Sequence, residues 1–139
     1  MGEKYYIDTA IWIDFHENRR DRFRPLGEWA LELFKKIVRE NGEIIYTNLL
    51  IVELNGKFSM EVIDKILHVA GGRDRLTYVK ISNEEVKEAS ILSKELKIPR
   101  GDCLHAIIAR DNGAVMVTRD RHFEQLGHIA EIKKPEELL

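Results

Sequence analysis

Apolar and helical periods alternate along this chain. Near its start, "KYYI" is a short apolar run and predicts a strand, and "TAIWIDFH" predicts a short helix. "ENRRDRFRP" is polar and predicts a loop or exposed arm. In "LGEWALELFKKIVRENG", Leu26, Trp29, Ala30, Leu33, Phe34 and Ile37 share one stripe and Gly42 supplies the stop, the pattern of an amphipathic helix. "EIIYT" predicts a strand, and "NLLIVELNGKF" a helix apolar around most of its circumference. "SMEVIDKILHVAGG" predicts a further helix, capped by Ser59 and ended at Gly71-Gly72. "LTYVKI" predicts a strand, and Ser82 with Glu85 forms a capping box for "SNEEVKEASILSKELKI". After the break at Pro99 and Gly101, "DCLHAIIARDNG" predicts a helix ending at Gly113. "AVMVT" predicts a strand, "RDRHFEQLG" a loop and short helix, and "HIAEI" the last strand. Strands alternating with helices predict the α/β class, with a central, mainly parallel sheet flanked by helices. At 139 residues the chain has the length of one domain. Open sheets of this class bind ligands beyond the carboxyl ends of their strands, so chemistry is sought there.

Composition adds limits. Hydrophobic residues make up 44%, enough for a core, and charged residues 33%. The net charge of -2, from 22 basic and 24 acidic residues, argues against a polybasic protein that coats nucleic acid, while leaving room for a local basic patch. One cysteine, Cys103, permits no intramolecular disulfide and suits a reducing compartment. "MGEKYY" lacks the apolar core of a signal peptide, and Tyr6 stands where myristoylation at Gly2 needs Ser or Thr. No apolar run approaches the ~20 residues of a membrane span. The expectation is a cytoplasmic protein with no membrane partner.

Four carboxylates stand at or near predicted strand ends. Asp8 follows the first strand, Asp120 lies just past "AVMVT", Asp102 opens its helix, and Glu53 lies in the apolar helix after "EIIYT". Asp8 and Asp102 also suit helix caps, and Asp120 suits a turn. Glu53 has little polar face to occupy, which predicts a buried carboxylate kept charged by a cation; the alternative is a helix that frays after Asn55-Gly56 and lets Glu53 reach water. Four acids in one crevice repel unless a counter-ion joins them. Oxygen ligands select a hard ion, Mg²⁺ or Mn²⁺. Such an ion lowers the pKa of water and stabilises a phosphoryl transition state, which points to phosphodiester hydrolysis. Thr9 and Thr118 either orient these ligands from behind or cap strand ends.

"YYIDTAIWIDF", "TNLLIVELNGKF" and "GDCLHAIIARDNGAVMVTRDRHF" together resemble the successive motifs of PIN-domain ribonucleases, most closely the VapC toxins of VapBC toxin–antitoxin pairs. The resemblance covers nearly the whole chain in order and spacing, with few landmarks between Ser59 and Leu96. It implies a single PIN-like nuclease domain over residues 1–139, and Mg²⁺- or Mn²⁺-dependent endonucleolytic cleavage of RNA. It also implies a small antitoxin protein as partner, and a homodimer. The family's catalytic and metal-binding acids fall on Asp8, Glu53, Asp102 and Asp120. Many relatives carry an acid or Asn two positions after the one matching Asp120; here that residue is His122, which puts a second metal position in doubt and still suits an ion or a phosphate.

Arginines cluster at Arg19, Arg20, Arg22 and Arg24, and Arg100, Arg119 and Arg121 flank the acids. Arg119 and Arg121 beside Asp120 are the expected substrate contacts, together with His122, because guanidinium suits phosphate. For Arg19 to Arg24 a solvated loop is an equal reading. His105, one turn from Asp102, reads as a core-edge histidine. Trp12 and Phe15, just before the polar arm, are the expected partner surface. Other functions compete. A haloacid-dehalogenase-type phosphatase needs a second Asp where Ala10 stands, and a receiver domain needs its Asp mid-chain. A non-catalytic PIN-like binding module and a housekeeping RNA-processing nuclease stay open.

Overall fold

β1 (Lys4–Ile7) alternates its side chains between two cores: Tyr5 and Ile7 face one side, Tyr6 the other. That two-sided burial is why the strand reads as a continuous apolar run. The computed structural model describes residues 2–71 and 73–139. From β1 the chain passes through α1 (Thr9–Glu17) and α2 (Leu26–Arg39) to β2 (Glu43–Tyr46). It continues through α3 (Asn48–Asn55) and α4 (Met60–Gly71) to β3 (Leu76–Tyr78), then α5 (Asn83–Leu96), α6 (Arg100–Asp111), β4 (Val115–Val117) and β5 (Ile132–Lys133).

Among the described residues the strands form one five-stranded sheet in the order β3-β2-β1-β4-β5, and every pairing is parallel. Tyr6 lies opposite Ile45 on one neighbour and Met116 on the other. One face is covered by α1, α2, α3 and α4 through Ile11, Trp12, Leu33, Phe34, Leu50 and Ile63; the other by α5 and α6 through Ala89, Leu92, Ala106 and Ile107. The chain moves outward from β1 to β2 and β3, then returns to the opposite side of β1 with β4. The order reverses between β1 and β4, which opens a crevice at their carboxyl ends. No described helix is long and apolar enough to cross a membrane.

Local signals behave as their chemistry dictates. Ser82 and Glu85 form the reciprocal capping box of α5. Gly113 takes φ +63 after α6, a left-handed turn that favours glycine. The Ser59 hydroxyl accepts from the Val62 N–H at the start of α4, which runs to Gly71; the expected stop at Gly72 lies outside the described residues. Two expectations are corrected. The last strand is Ile132–Lys133 rather than "HIAEI", because the Leu126 carbonyl accepts from the Ile129 and Ala130 N–H groups and keeps that stretch curled. Of α3, only Leu50 and Leu54 are buried, and Val52 is 59% exposed, so the helix lies on the surface with one face inward.

Candidate acidic site at the carboxyl ends of the strands

Asp8 stands at the N-cap position of α1, yet its carboxylate caps nothing. Its backbone N–H continues the pairing with β4 by bonding the Val117 carbonyl at 2.9 Å. Its Oδ2 accepts the Thr118 hydroxyl at 2.8 Å. The Thr118 oxygen in turn accepts the Asp120 N–H at 3.1 Å. One buried threonine therefore ties the ends of β1 and β4 and sets the start of the turn that carries Asp120.

Asp102 is the third residue of α6, where the helix dipole favours a carboxylate. It makes no cap bond; its Oδ2 lies 3.0 Å from His122 Nδ1. Asp120 caps the short 3₁₀ turn 121–126 by accepting the His122 N–H at 2.9 Å, and its Oδ1 is 3.3 Å from His122 Nδ1. Asp120 thus makes the expected turn, and His122 lies between its carboxylate and that of Asp102. Glu53 corrects an expectation. It is 37% exposed rather than buried, so it needs no ion merely to remain charged. Its Oε1 accepts from Thr9 Oγ1 at 2.6 Å and lies 3.0 Å from His105 Nε2.

The electrostatics divide the four acids. Burial pushes the Asp8 carboxyl above its ordinary pKa, and the charges of Glu53 and Asp102 add to the rise against the Thr118 bond. Burial raises Asp102 in the same way, helped by Asp120 and opposed by the His122 bond. Burial also works on Glu53, but the His105 and Thr9 bonds outweigh it and hold that carboxyl below its ordinary value.

One ligand atom from each of Asp102, Asp120 and His122 lies within 4.8 Å of the other two. Asp8 and Glu53 are outside this triplet; Asp8 feels the charges of both Asp102 and Glu53. Two oxygens and a nitrogen at that spacing are a donor set that fits a divalent cation. A cavity of about 470 Å³ adjoins Asp120, floored by Phe123, Ala130 and Ile132 and edged by Lys133 and Lys134.

Other expected positions fall elsewhere. Arg119 is only 13% exposed; its Nη1 donates to Glu136 Oε2 at 2.9 Å, its Nε is 4.0 Å from Asp14 Oδ2, and its guanidinium lies 5.3 Å from the Trp29 ring centroid. These partners remove it from the group free to hold a phosphate, whereas Arg121 is exposed. Trp12 is fully buried, donates its Nε1–H to the Ile7 carbonyl at 3.2 Å and packs on Phe34, so it is core and not partner surface. Phe15 is half-buried and lines an apolar groove with Leu31, Val38 and Val69. In the arm, Arg19 pairs with Glu17 and Arg24 with Asp21. The residues missed from the sequence are Tyr6 and Thr47, which join His105 in a buried chain of hydrogen bonds beneath Glu53.

Solved structures similar to this chain share its fold. VapBC2 from Rickettsia felis, bound to a DNA fragment from its promoter, has a TM-score of 0.67 at 17% identity, covering 94% of this chain and 98% of that one. A toxin–antitoxin complex from Klebsiella pneumoniae has a TM-score of 0.62 at 17% identity, covering 94% and 97%. PAE2754 from Pyrobaculum aerophilum has a TM-score of 0.56 at 18% identity, covering 99% and 95%. No curated protein sequence matches the chain. The parallel sheet, the acids at its switch point and the match of the PIN domain family model over residues 5–129 agree, and the chain belongs to the PIN domain family.

Proposed function

We propose that this chain is a metal-dependent endoribonuclease and the toxin of a toxin–antitoxin pair. The observation that carries the reading is the convergence of Asp102, Asp120 and His122 beside Asp8, at the carboxyl ends of β1 and β4. Asp8, Glu53, Asp102 and Asp120 are the catalytic acids and would hold Mg²⁺ or Mn²⁺, with His122 at their edge. When bound, the cation neutralises the carboxylates and acts as a Lewis acid toward an RNA phosphodiester. Thr118 and Thr9 hold the Asp8 and Glu53 carboxylates in place. Arg121 and His122, both exposed, contact the substrate phosphates.

The antitoxin reading draws support from the VapBC neighbours and from the groove lined by Phe15, Leu31, Val38 and Val69. An amphipathic helix laying its apolar face there fits this surface. The family resemblance also supports a homodimer. The buried free thiol of Cys103 suits a cytoplasmic setting. Cleavage of a mixed RNA pool with and without Mn²⁺, by wild type and by Asp102→Asn with Asp120→Asn, tests the activity. Loss of cleavage in the double variant supports it; equal cleavage by both proteins overturns it. Co-expression with the adjacent small reading frame tests the partner.

A further inference from the structure

Beneath the acids lies a chain of buried polar groups that the chemistry above does not use. Thr47 Oγ1 and the Tyr6 hydroxyl are 2.9 Å apart, and the Tyr6 hydroxyl is 2.8 Å from His105 Nδ1. His105 Nε2 is 3.0 Å from Glu53 Oε1. Thr47, Tyr6 and His105 are all buried. The ring of His105 meets that of Tyr6 edge to face at 5.3 Å. Each group comes from a different place: Tyr6 from the middle of the sheet, Thr47 from the end of β2, His105 from α6, and Glu53 from α3. A carboxylate only accepts, so Nε2 carries a proton whichever charge the ring holds. Glu53 Oε1 thus receives two donors, this one and Thr9 Oγ1 at 2.6 Å. Oε2 takes no hydrogen bond among the described residues.

We infer that His105 is a positioning residue: through its Nε2–H, and with its ring fixed by Tyr6 and Thr47, it locks the exposed Glu53 carboxylate so that Oε2 faces the site as a single-oxygen ligand. Glu53 sits near the end of a surface helix whose own packing rests on Leu50 and Leu54. A long side chain there has several rotamers, and ordering it before the cation arrives removes that cost from binding. His105 is suited to this because α6 places it one turn after Asp102. The same helix presents a ligand outward and braces another from within. The inference rests on the reading of Glu53 as a metal ligand.

Two substitutions separate positioning from packing. In His105→Gln the amide reaches the place of Nε2 and still donates to Glu53. In His105→Asn the shorter amide reaches only the place of Nδ1, keeping a polar partner for Tyr6 and losing the donor. Isothermal titration with Mn²⁺, beside the melting temperature of each protein, is the measurement. We expect His105→Gln to bind Mn²⁺ within about twofold of wild type and His105→Asn about tenfold more weakly, the usual size of such an effect. Thr9→Val, which removes the other donor to Oε1, should weaken binding in the same direction. Equal Mn²⁺ affinity for the Gln and Asn variants overturns the inference, even if both melt early, because a packing role alone does not distinguish them. Wild type that binds no Mn²⁺ overturns the metal reading of Glu53 and this inference with it. Wild type that binds while Asn binds equally well overturns the positioning role only.

Discussion

Thr118 donates its hydroxyl to Asp8 Oδ2 at 2.8 Å across the reversal point of the sheet. Burial raises the Asp8 pKa, and the charges of Glu53 and Asp102 add to the rise, while the Thr118 bond and His105 oppose it without cancelling it. Asn at this position still accepts from Thr118 through its amide oxygen. Asp8→Asn should therefore fold normally by circular dichroism, lose Mn²⁺-stimulated RNA cleavage and melt higher than wild type when metal-free. A change of about 1 kcal/mol moves the melting temperature of a chain this size by roughly 3–5 °C. A metal-free melting temperature below that of wild type would contradict the electrostatic account of Asp8.

Glu53 carries the opposite sign. Its carboxyl is held below its ordinary pKa by His105 and Thr9, against the effect of burial, so the folded state favours its charge. Glu53→Gln should lose activity and melt slightly lower than wild type without metal. The pH dependence follows from the two directions. The advantage of Asp8→Asn is greatest above the raised folded pKa of Asp8. It vanishes as pH falls through that value toward the ordinary carboxylate range, where wild type is protonated too. The deficit of Glu53→Gln is present above the ordinary Glu value and vanishes only as pH falls through the lowered folded pKa. Melting curves of the three metal-free proteins across acidic pH check both signs. Saturating Mn²⁺ should reverse the Asp8→Asn advantage, since the cation binds the deprotonated acids.

The partner surface separates two aromatics that look alike in sequence. Trp12 is core, so Trp12→Ala should cost about 4 kcal/mol and report on folding rather than on recognition. Val38 and Val69 are exposed beside Phe15. Val38→Glu with Val69→Glu should leave the melting temperature nearly unchanged and abolish capture of the co-expressed antitoxin. Undiminished capture would move the partner to another face.

The contrast shows what a sequence carries. The alternation of strands and helices, the Ser82–Glu85 box and the Gly113 stop are set by residues within a few positions, and each is found where the pattern puts it. Asp8 stood out as a candidate because a carboxylate straight after an apolar strand runs against local preference. The roles of Trp12 and Arg119 were not, because they depend on distant partners. Trp12 packs on Phe34 from another helix, and Arg119 meets Asp14 and Glu136 from the two ends of the chain. His105 was visible as a polar residue on a buried face, but Tyr6 and Thr47, which give it a direction, come from β1 and from just past β2, far from it in sequence. The last strand has only two residues, too few for a period to show.

Arg119 and Arg121 should now behave differently, although they flank the same acid. Arg119 holds the C-terminal turn 135–138 to the fold through Glu136, and burial raises the pKa of Asp14 against its attraction. Arg119→Ala leaves two partly buried carboxylates without their cation, and breaking such a pair costs about 3 kcal/mol. The variant should melt early, while the salt dependence of RNA binding by its folded fraction stays that of wild type. Arg121 is exposed at the start of the 3₁₀ turn after Asp120. Arg121→Ala should keep its melting temperature and its Mn²⁺ affinity. The logarithm of its RNA affinity should fall less steeply with the logarithm of salt, by ~0.7 for each single-strand phosphate that the side chain neutralises. A shallower slope in Arg119→Ala would return that residue to the substrate. An unchanged slope in Arg121→Ala would leave His122 as the proposed phosphate contact beside Asp120.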